Sequence, residues 1–378
     1  MDNLNKKYWF HKNPKKTLAI TILVFLLLIE FICFTIEKVR PNQLNIGDLI
    51  LDGVEPQYQR FDLHTFYNYK PNSIYAGWKF DKYGFVRTPN IENINNLKEK
   101  IVVLFGGSTV YGVGATDLKT TIPSYLQTIL NQRNDGNFYR VYNAGVRGFF
   151  SYLEMIRYIQ DVRSQLKPDI VIVLNGRNDI YLSIKGYLSD NFDTSYSIKL
   201  ENDLQKNISE VQYRQLIKSI VLSTNTGVVM FRIFKRYKIW LNDTLNENIE
   251  TNTFSIDNNQ LTKSLNNYIF IMDIFKYLVE KDKKEFHWFI QPVAHYKKKL
   301  TDKEKKQIKK QDYLNEIENY DKKINFSYNY LLKENNNAKN LSEIFKTYQE
   351  TLYQDDTHYN DKANKIIARE LSHYILKN

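Results

Sequence analysis

The sequence predicts an α/β protein: a doubly wound, mainly parallel sheet, broken by a helical insert and tethered by one apolar helix at the N-terminus. Three observations carry this expectation. Runs of β-branched and apolar residues, Ile101–Phe105, Tyr139–Tyr142 and Asp169–Leu174, each stop abruptly at a loop rich in glycine or asparagine. The order strand–turn–helix is thereby begun three times, which implies parallel strands joined by helical crossovers. Thr17–Ile36, TLAITILVFLLLIEFICFTI, has the length of a bilayer-spanning helix.

The 378 residues allow one large or two modest domains with a sizeable core. The net charge of +11 could serve nucleic acid, a membrane surface or an anionic polymer, and alone selects none of them. Cys33 is the single cysteine, which excludes an intrachain disulfide. No HxH, HExxH or paired cysteines occur, so neither a metal nor another cofactor is expected.

At the N-terminus, Lys6, Lys7, Lys12, Lys15 and Lys16 precede the apolar run, and Tyr8 and Trp9 stand where interface aromatics belong. The positive-inside rule then keeps residues 1–16 in the cytoplasm, lets residues 17–36 span the membrane, and puts everything after about residue 40 in the periplasm or outside the cell. Glu30 is the one charge in the span; Glu37, Lys38 and Arg40 follow at once, with no small-x-small cleavage site. That pattern reads as an uncleaved signal anchor, against a cleaved signal peptide or a buried core helix. Such a location disfavours nucleic acid as a partner and favours envelope lipids or glycans.

Residues 41–97 read as a lead-in, with a turn at 67–72 and a short strand at Asp81–Arg87. The main domain follows over 98–378. Its first strand, Ile101–Phe105, ends in Gly106-Gly107-Ser108, a tight turn able to present a hydroxyl at the ligand-binding edge of the sheet. A helix is expected over Thr120–Gln132, a second strand ending at Asn143–Gly148, a helix over Ser151–Leu166 stopped by Pro168, and a third strand ending at Asn175-Gly176-Arg177-Asn178-Asp179. Residues 185–282 break this rhythm and read as a helical insert: a lid, a plain covering of the sheet, or a surface lying on the membrane. Within it Leu261–Glu280 has amphipathic helical spacing. Glu285–Val293 is a further core strand, the lysine-dense Lys297–Gln311 a solvated helix face or an anion contact, and Tyr330–Tyr348 brings a last short strand and a helix. A polar loop, Asp355–Asp361, precedes a closing helix to Leu376.

A reactive serine needs a base and a group to orient that base. Of six histidines, His11 is on the cytoplasmic side, His64 in the lead-in, His373 in the closing helix, and His287 inside a strand. His295, just after a strand, and His358, three residues after Asp355, remain. A DxxH in one loop can carry base and orienting carboxylate together; by itself it also reads as a helix cap.

Together these stretches resemble the SGNH/GDSL hydrolase superfamily, whose blocks appear here in order: Gly106-Gly107-Ser108-Thr109, Asn143–Gly148, Gly176-Arg177-Asn178-Asp179, and Asp355-Asp356-Thr357-His358. The resemblance covers about Lys100–Asn378, with 185–282 unmatched. It implies a flavodoxin-like fold in which Ser108 is the nucleophile, His358 its general base and Asp355 the orienting acid. It further implies an oxyanion hole from the N–H groups of Ser108 and Gly148 and the side chain of Asn178. Three departures matter. The first block reads GGS rather than GDS, Gly145 competes with Gly148, and Asp356 competes with Asp355, though only Asp355 has the right spacing. Arg177 adds a cation beside the cleft, which hints at an anionic or sugar substrate.

The expected function is an extracytoplasmic serine esterase or acyltransferase acting on O-acyl, chiefly O-acetyl, esters of envelope polysaccharide or lipid-linked sugar. The expected partners are that acylated glycan or lipid-linked sugar, the membrane through the single helix, and no nucleic acid. A catalytically silent member that binds glycan or scaffolds an envelope complex is the alternative. A nucleotide-binding reading of GGSTVYGVG lacks both the Gly-Lys-Ser/Thr ending and a strict GxGxxG.

Overall fold

The structure, a computed structural model, describes residues 13–39, 59–62, 64–75, 78–89, 97–133, 135–185, 226, 257–309, 319–335 and 337–375. The chain forms two compact units: Met1–Glu55 with Leu200–Glu250, and Pro56–Lys199 with Thr251–Asn378.

In the first unit the apolar run is one helix, α1 (Pro14–Val39). Its 22-residue apolar stretch, Pro14–Thr35, spans about 33 Å at helical rise, against a hydrocarbon core of ~30 Å. Leu27 and Phe31 are 62 % and 66 % exposed, an arrangement that suits lipid better than water. One side differs: Cys33 is buried, and Glu30, one turn before it, accepts hydrogen bonds from the Thr226 N–H (2.9 Å) and hydroxyl (2.6 Å). A carboxylate in apolar surroundings needs such donors. The remaining residues of 186–256, where the sequence suggests an irregular stretch and a basic helix, lie outside the described residues.

The second unit begins with two antiparallel ribbons, β1 (Gln59–Asp62) with β2 (Phe66–Tyr69) and β3 (Ile74–Tyr75) with β4 (Trp78–Lys79). The strand expected at Asp81–Arg87 is instead a turn, tied by isolated bridges of Val86 to Phe80 and to Asn143. Its turn is closed by Asp81, whose carboxylate accepts the Tyr83 and Phe85 N–H groups.

The sheet follows: β5 (Lys98–Gly106), β6 (Asn137–Asn143), β7 (Ile170–Asn175), β8 (Glu285–Ile290) and β9 (Ala338–Asn340), paired in the order β6-β5-β7-β8-β9 and parallel throughout. Counted along the chain this is the 2-1-3-4-5 order of flavodoxin-like folds. Ligands there bind beyond the carboxyl ends of the first and third strands, where the winding reverses.

Alternate residues of each strand enter opposite cores. Val103, Phe105, Val171, Val173 and Trp288 face one side, packed with Leu265 and Phe275 of α6 (Asn258–Lys281) and Tyr328 of α8 (Tyr320–Glu334). Val102, Leu104, Ile170, Ile172 and Phe289 face the other, packed with Leu126 of α3 (Ile122–Asn131) and Ile367 and Leu371 of α9 (Asp361–Ile375). Burial on both faces is what a parallel sheet requires and why its strands read as unbroken apolar runs. The helix α6 therefore covers the sheet, which settles the role of Leu261–Glu280.

Three elements differ from expectation. The helix α4 (Ser151–Arg157) passes into a π-turn over Tyr158–Val162 rather than running unbroken to Leu166. In the C-terminal part the helix, α8, lies mostly ahead of the expected Tyr330–Tyr348, because Tyr320–Glu334 carries the apolar stripe Ile324, Tyr328 and Leu331. The lysine-dense run forms α7 (Asp302–Ile308), but Lys297 is no surface charge. It is buried on Glu304, with Nζ 2.8 and 2.7 Å from the two carboxylate oxygens, and Glu304 also accepts the N–H groups of Thr301, Leu352 and Tyr353. Those bonds together hold Glu304 below the usual carboxylate range although burial works against it.

Candidate active site

Three loops leave β5, β6 and β7 at the same edge of the sheet, and the loop before α9 joins them. Ser108 opens the short helix α2 (Ser108–Tyr111) directly after β5. As the first helical residue it has an N–H that no preceding turn of helix can claim. A Cβ at Gly107 would stand 2.6 Å from Asn178 Nδ2, so glycine at this position of the first block lets the Asn178 amide stand where it does.

The loop before α9 presents His358. Its Nε2 lies 2.7 Å from Ser108 Oγ, and its Nδ1 lies 2.5 Å from Asp355 Oδ2. The other oxygen, Asp355 Oδ1, accepts the N–H groups of Thr357 (2.8 Å) and His358 (2.7 Å). One carboxylate thus folds the loop and aligns the imidazole. With Nδ1–H donated to Asp355, Nε2 is left to accept the Ser108 proton. Partial burial pushes the Asp355 carboxyl up. The His358 charge, its hydrogen bond and the two backbone donors more than reverse this, holding it at about 2.

After β7, Gly176 leads into α5 (Arg177–Ile184). Asn178 Nδ2 donates to the Phe149 carbonyl at 2.7 Å, which fixes the amide beside the loop that carries Gly148 and leaves its second N–H to give. Gly148 has φ +75°, a left-handed conformation that glycine adopts without steric cost. Gly145 does not compete: its N–H is spent on Asn143 Oδ1 at 3.0 Å.

The structure separates the other candidates. Asp356 faces away from His358 and binds Arg177, with Nε at 3.2 Å and Nη2 at 2.7 Å from Oδ2. Arg177 is therefore a paired cation, not an open charge for a substrate. His295 pairs with Asp321 at 3.2 Å. His287 is buried in β8 with Lys339 Nζ 2.8 Å from Nδ1; burial first, and then the lysine charge, push it down to about 4.

Beneath the loops lies a polar network that sequence reasoning missed. Asn175 donates to Glu154 at 2.7 Å and accepts from Tyr268 (2.7 Å) and Trp288 (3.0 Å). Asp179 accepts the Ser151 N–H at 3.0 Å, tying α5 to α4. Burial pushes Asp179 up to about 6, and burial with the neighbouring Asp179 charge pushes Glu154 well above its ordinary value. The signals were present: an asparagine ends an otherwise apolar strand, and Glu154 falls on the buried face of its helix.

Beside Arg177 and Asp356 a cavity of about 650 Å³ opens, lined also by His295, Tyr320, Asp321 and Ile324.

A serine, an imidazole and a carboxylate in hydrogen-bonded series on a 2-1-3-4-5 parallel sheet define the serine-hydrolase class. Residues 104–256, about two fifths of the chain, match the GDSL-like lipase/acylhydrolase family, which bears out the SGNH/GDSL resemblance and supports a serine ester hydrolase. The match takes in Ser108, Gly148 and Asn178 and ends before Asp355 and His358. No curated protein matches the chain in sequence. Among solved structures it is similar to an acetyl xylan esterase, AlAXEase, at 14 % identity and TM-score 0.40, over 73 % of this chain and 100 % of that one. It is similar to a catalytic mutant of an acetylxylan esterase from Geobacillus stearothermophilus at 15 % identity and TM-score 0.38, over 73 % and 94 %. It is also similar to a two-domain esterase active on acetylated mannans at 11 % identity and TM-score 0.36, over 74 % and 49 %.

Proposed function

We propose that this chain is a membrane-anchored, extracytoplasmic serine esterase or O-acyltransferase. Its substrate is an O-acyl ester, O-acetyl foremost, on an envelope polysaccharide or lipid-linked sugar. The observation that carries the reading is His358 Nε2 at 2.7 Å from Ser108 Oγ, with Asp355 behind the imidazole.

The chemistry follows from that geometry. Ser108 Oγ attacks the ester carbonyl carbon while its proton passes to His358 Nε2. Asp355 stabilises the imidazolium so formed. The carbonyl oxygen becomes an oxyanion held by the N–H groups of Ser108 and Gly148 and the free amide hydrogen of Asn178. Collapse breaks the bond to the sugar oxygen, which leaves as an alcohol with the proton from His358, and the acyl group stays on Ser108. Water activated by His358 then releases the carboxylic acid and regenerates Ser108. A second sugar hydroxyl in place of water completes a transfer.

Three features support the finer parts. The α1 stretch is long and apolar enough to span, and the lysines before it orient the following chain outward. The cavity of about 650 Å³ bordered by Arg177 and Asp356 is in the size range of small-ligand pockets, and its Tyr320, His295 and Asp321 offer the ring face and polar edges that a sugar uses.

The test has two arms. A fluorophosphonate probe should label the wild-type chain and not Ser108→Ala. Mass spectrometry of envelope glycans from cells carrying each form should then show extra acyl groups in Ser108→Ala for an esterase, or fewer for a transferase. Unchanged glycan acylation would remove the glycan substrate, and an unlabelled wild-type chain would remove the enzyme reading.

A further inference from the structure

The Arg177–Asp356 pair joins the two loops that carry the chemistry. Arg177 is the residue before Asn178, and Asp356 is the residue after Asp355, 179 positions away. The two side chains are only 6 % and 12 % exposed. The guanidinium also lies 5.1 Å from the Tyr181 ring centre and 5.8 Å from that of Tyr320, and the Asp356 carbonyl accepts the Ala294 N–H at 2.9 Å, which pins its loop to the end of β8.

Two arguments speak against plain stabilisation as the reason for the pair. Arg177 is the first residue of α5, where the helix dipole disfavours a cation. A buried ion pair also adds little stability over an apolar pair of similar size, because desolvation offsets the attraction. What such a pair does supply is a fixed distance. Here that distance sets where the Asn178 amide stands relative to His358, two groups that must meet one tetrahedral intermediate from different sides.

We infer that Arg177 and Asp356 are positioning residues that hold the oxyanion donor Asn178 and the base His358 in register. This rests on the reading of Ser108, His358 and Asn178 given above. The pair touches no reacting atom. It acts through its neighbours, so its loss lowers turnover and leaves in place the affinity for a small aryl ester, which carries no sugar to reach the cavity the pair borders.

The experiment uses the full chain in detergent with an aryl acetate as substrate. Arg177→Met/Asp356→Met removes both charges together and strands neither. It should keep its melting temperature within a few degrees and its KM within twofold, while kcat falls about 10²-fold, the scale of a 1 Å misplacement. Arg177→Lys keeps the charge but not the two-nitrogen fork, and should lose several-fold in kcat; it serves if the double variant does not fold. Fluorophosphonate labelling of Ser108 should slow in parallel with kcat. A folded double variant with kcat within threefold of wild type, a loss confined to KM, or Arg177→Lys equal to wild type would each overturn the inference. A wild-type chain that is not labelled removes the nucleophile reading instead, and this inference with it.

Discussion

Replacing Asp355 by Asn tests the site through two independent readouts. Asn keeps an oxygen for the Thr357 and His358 N–H groups now bound at 2.8 and 2.7 Å, so the loop should survive. It puts an NH₂ against Nδ1, where an acceptor now stands at 2.5 Å. The imidazole must then carry its proton on Nε2 and aim it at Ser108 Oγ, the reverse of what a general base needs. The expected loss in kcat is about 10⁴-fold, as for an equivalent change in a serine protease. Stability supplies the second number. Asp355 is held at about 2, below the ordinary 3.8 of an aspartate, which is worth up to about 2 kcal/mol. Because the folded value is the lower one, that contribution is present above about pH 4 and fades as pH falls toward 2. Urea titrations of both forms should therefore differ most above pH 4 and converge in acid, with activity followed by aryl acetate hydrolysis. Asp355→Asn with kcat within tenfold of wild type would refute the proposed roles.

Three further outcomes are expected. Asn178→Ala removes one proposed oxyanion donor and should cost about 10²-fold or more in kcat with KM little changed; an effect on KM alone would make Asn178 a binding residue. Lys297→Met strands the buried Glu304 carboxylate and should destabilise by about 3 kcal/mol, the low end for a broken buried pair, because Glu304 keeps its backbone donors; a urea midpoint equal to wild type would contradict the burial. In a Cys33→Ser background, Glu30→Cys with Thr226→Cys should be joined by a short bis-maleimide, detectable as a cross-link after cleavage between the two positions, since the Glu30 carboxylate reaches the Thr226 hydroxyl at 2.6 Å; two separately alkylated thiols would show that this contact does not form.

Much of the fold was legible because a parallel sheet is buried on both faces. Val102–Phe105 and Ile170–Leu174 read as strands from composition alone, and each ends in a loop whose glycine or asparagine marks the ligand edge. The π-turn after α4 was not legible, because its residues still follow a roughly helical apolar spacing. The bounds of β9 were not legible because it is three residues of mixed polarity, Ala338–Asn340, paired with β8 alone.

The sequence by itself determined the winding of the sheet, the apolar helix ahead of it, and the four polar loops in their order, since each depends on the local spacing of side chains. Only the tertiary structure decided between residues of like chemistry. The Gly145 amide is already taken, Arg177 is neutralised by Asp356, and His295 is paired elsewhere. The physical reason is range. A hydrogen bond of 2.7 Å between Ser108 and His358, 250 residues apart, depends on how two loops are set at the edge of one sheet, and side-chain identity along the chain carries no direct record of that setting.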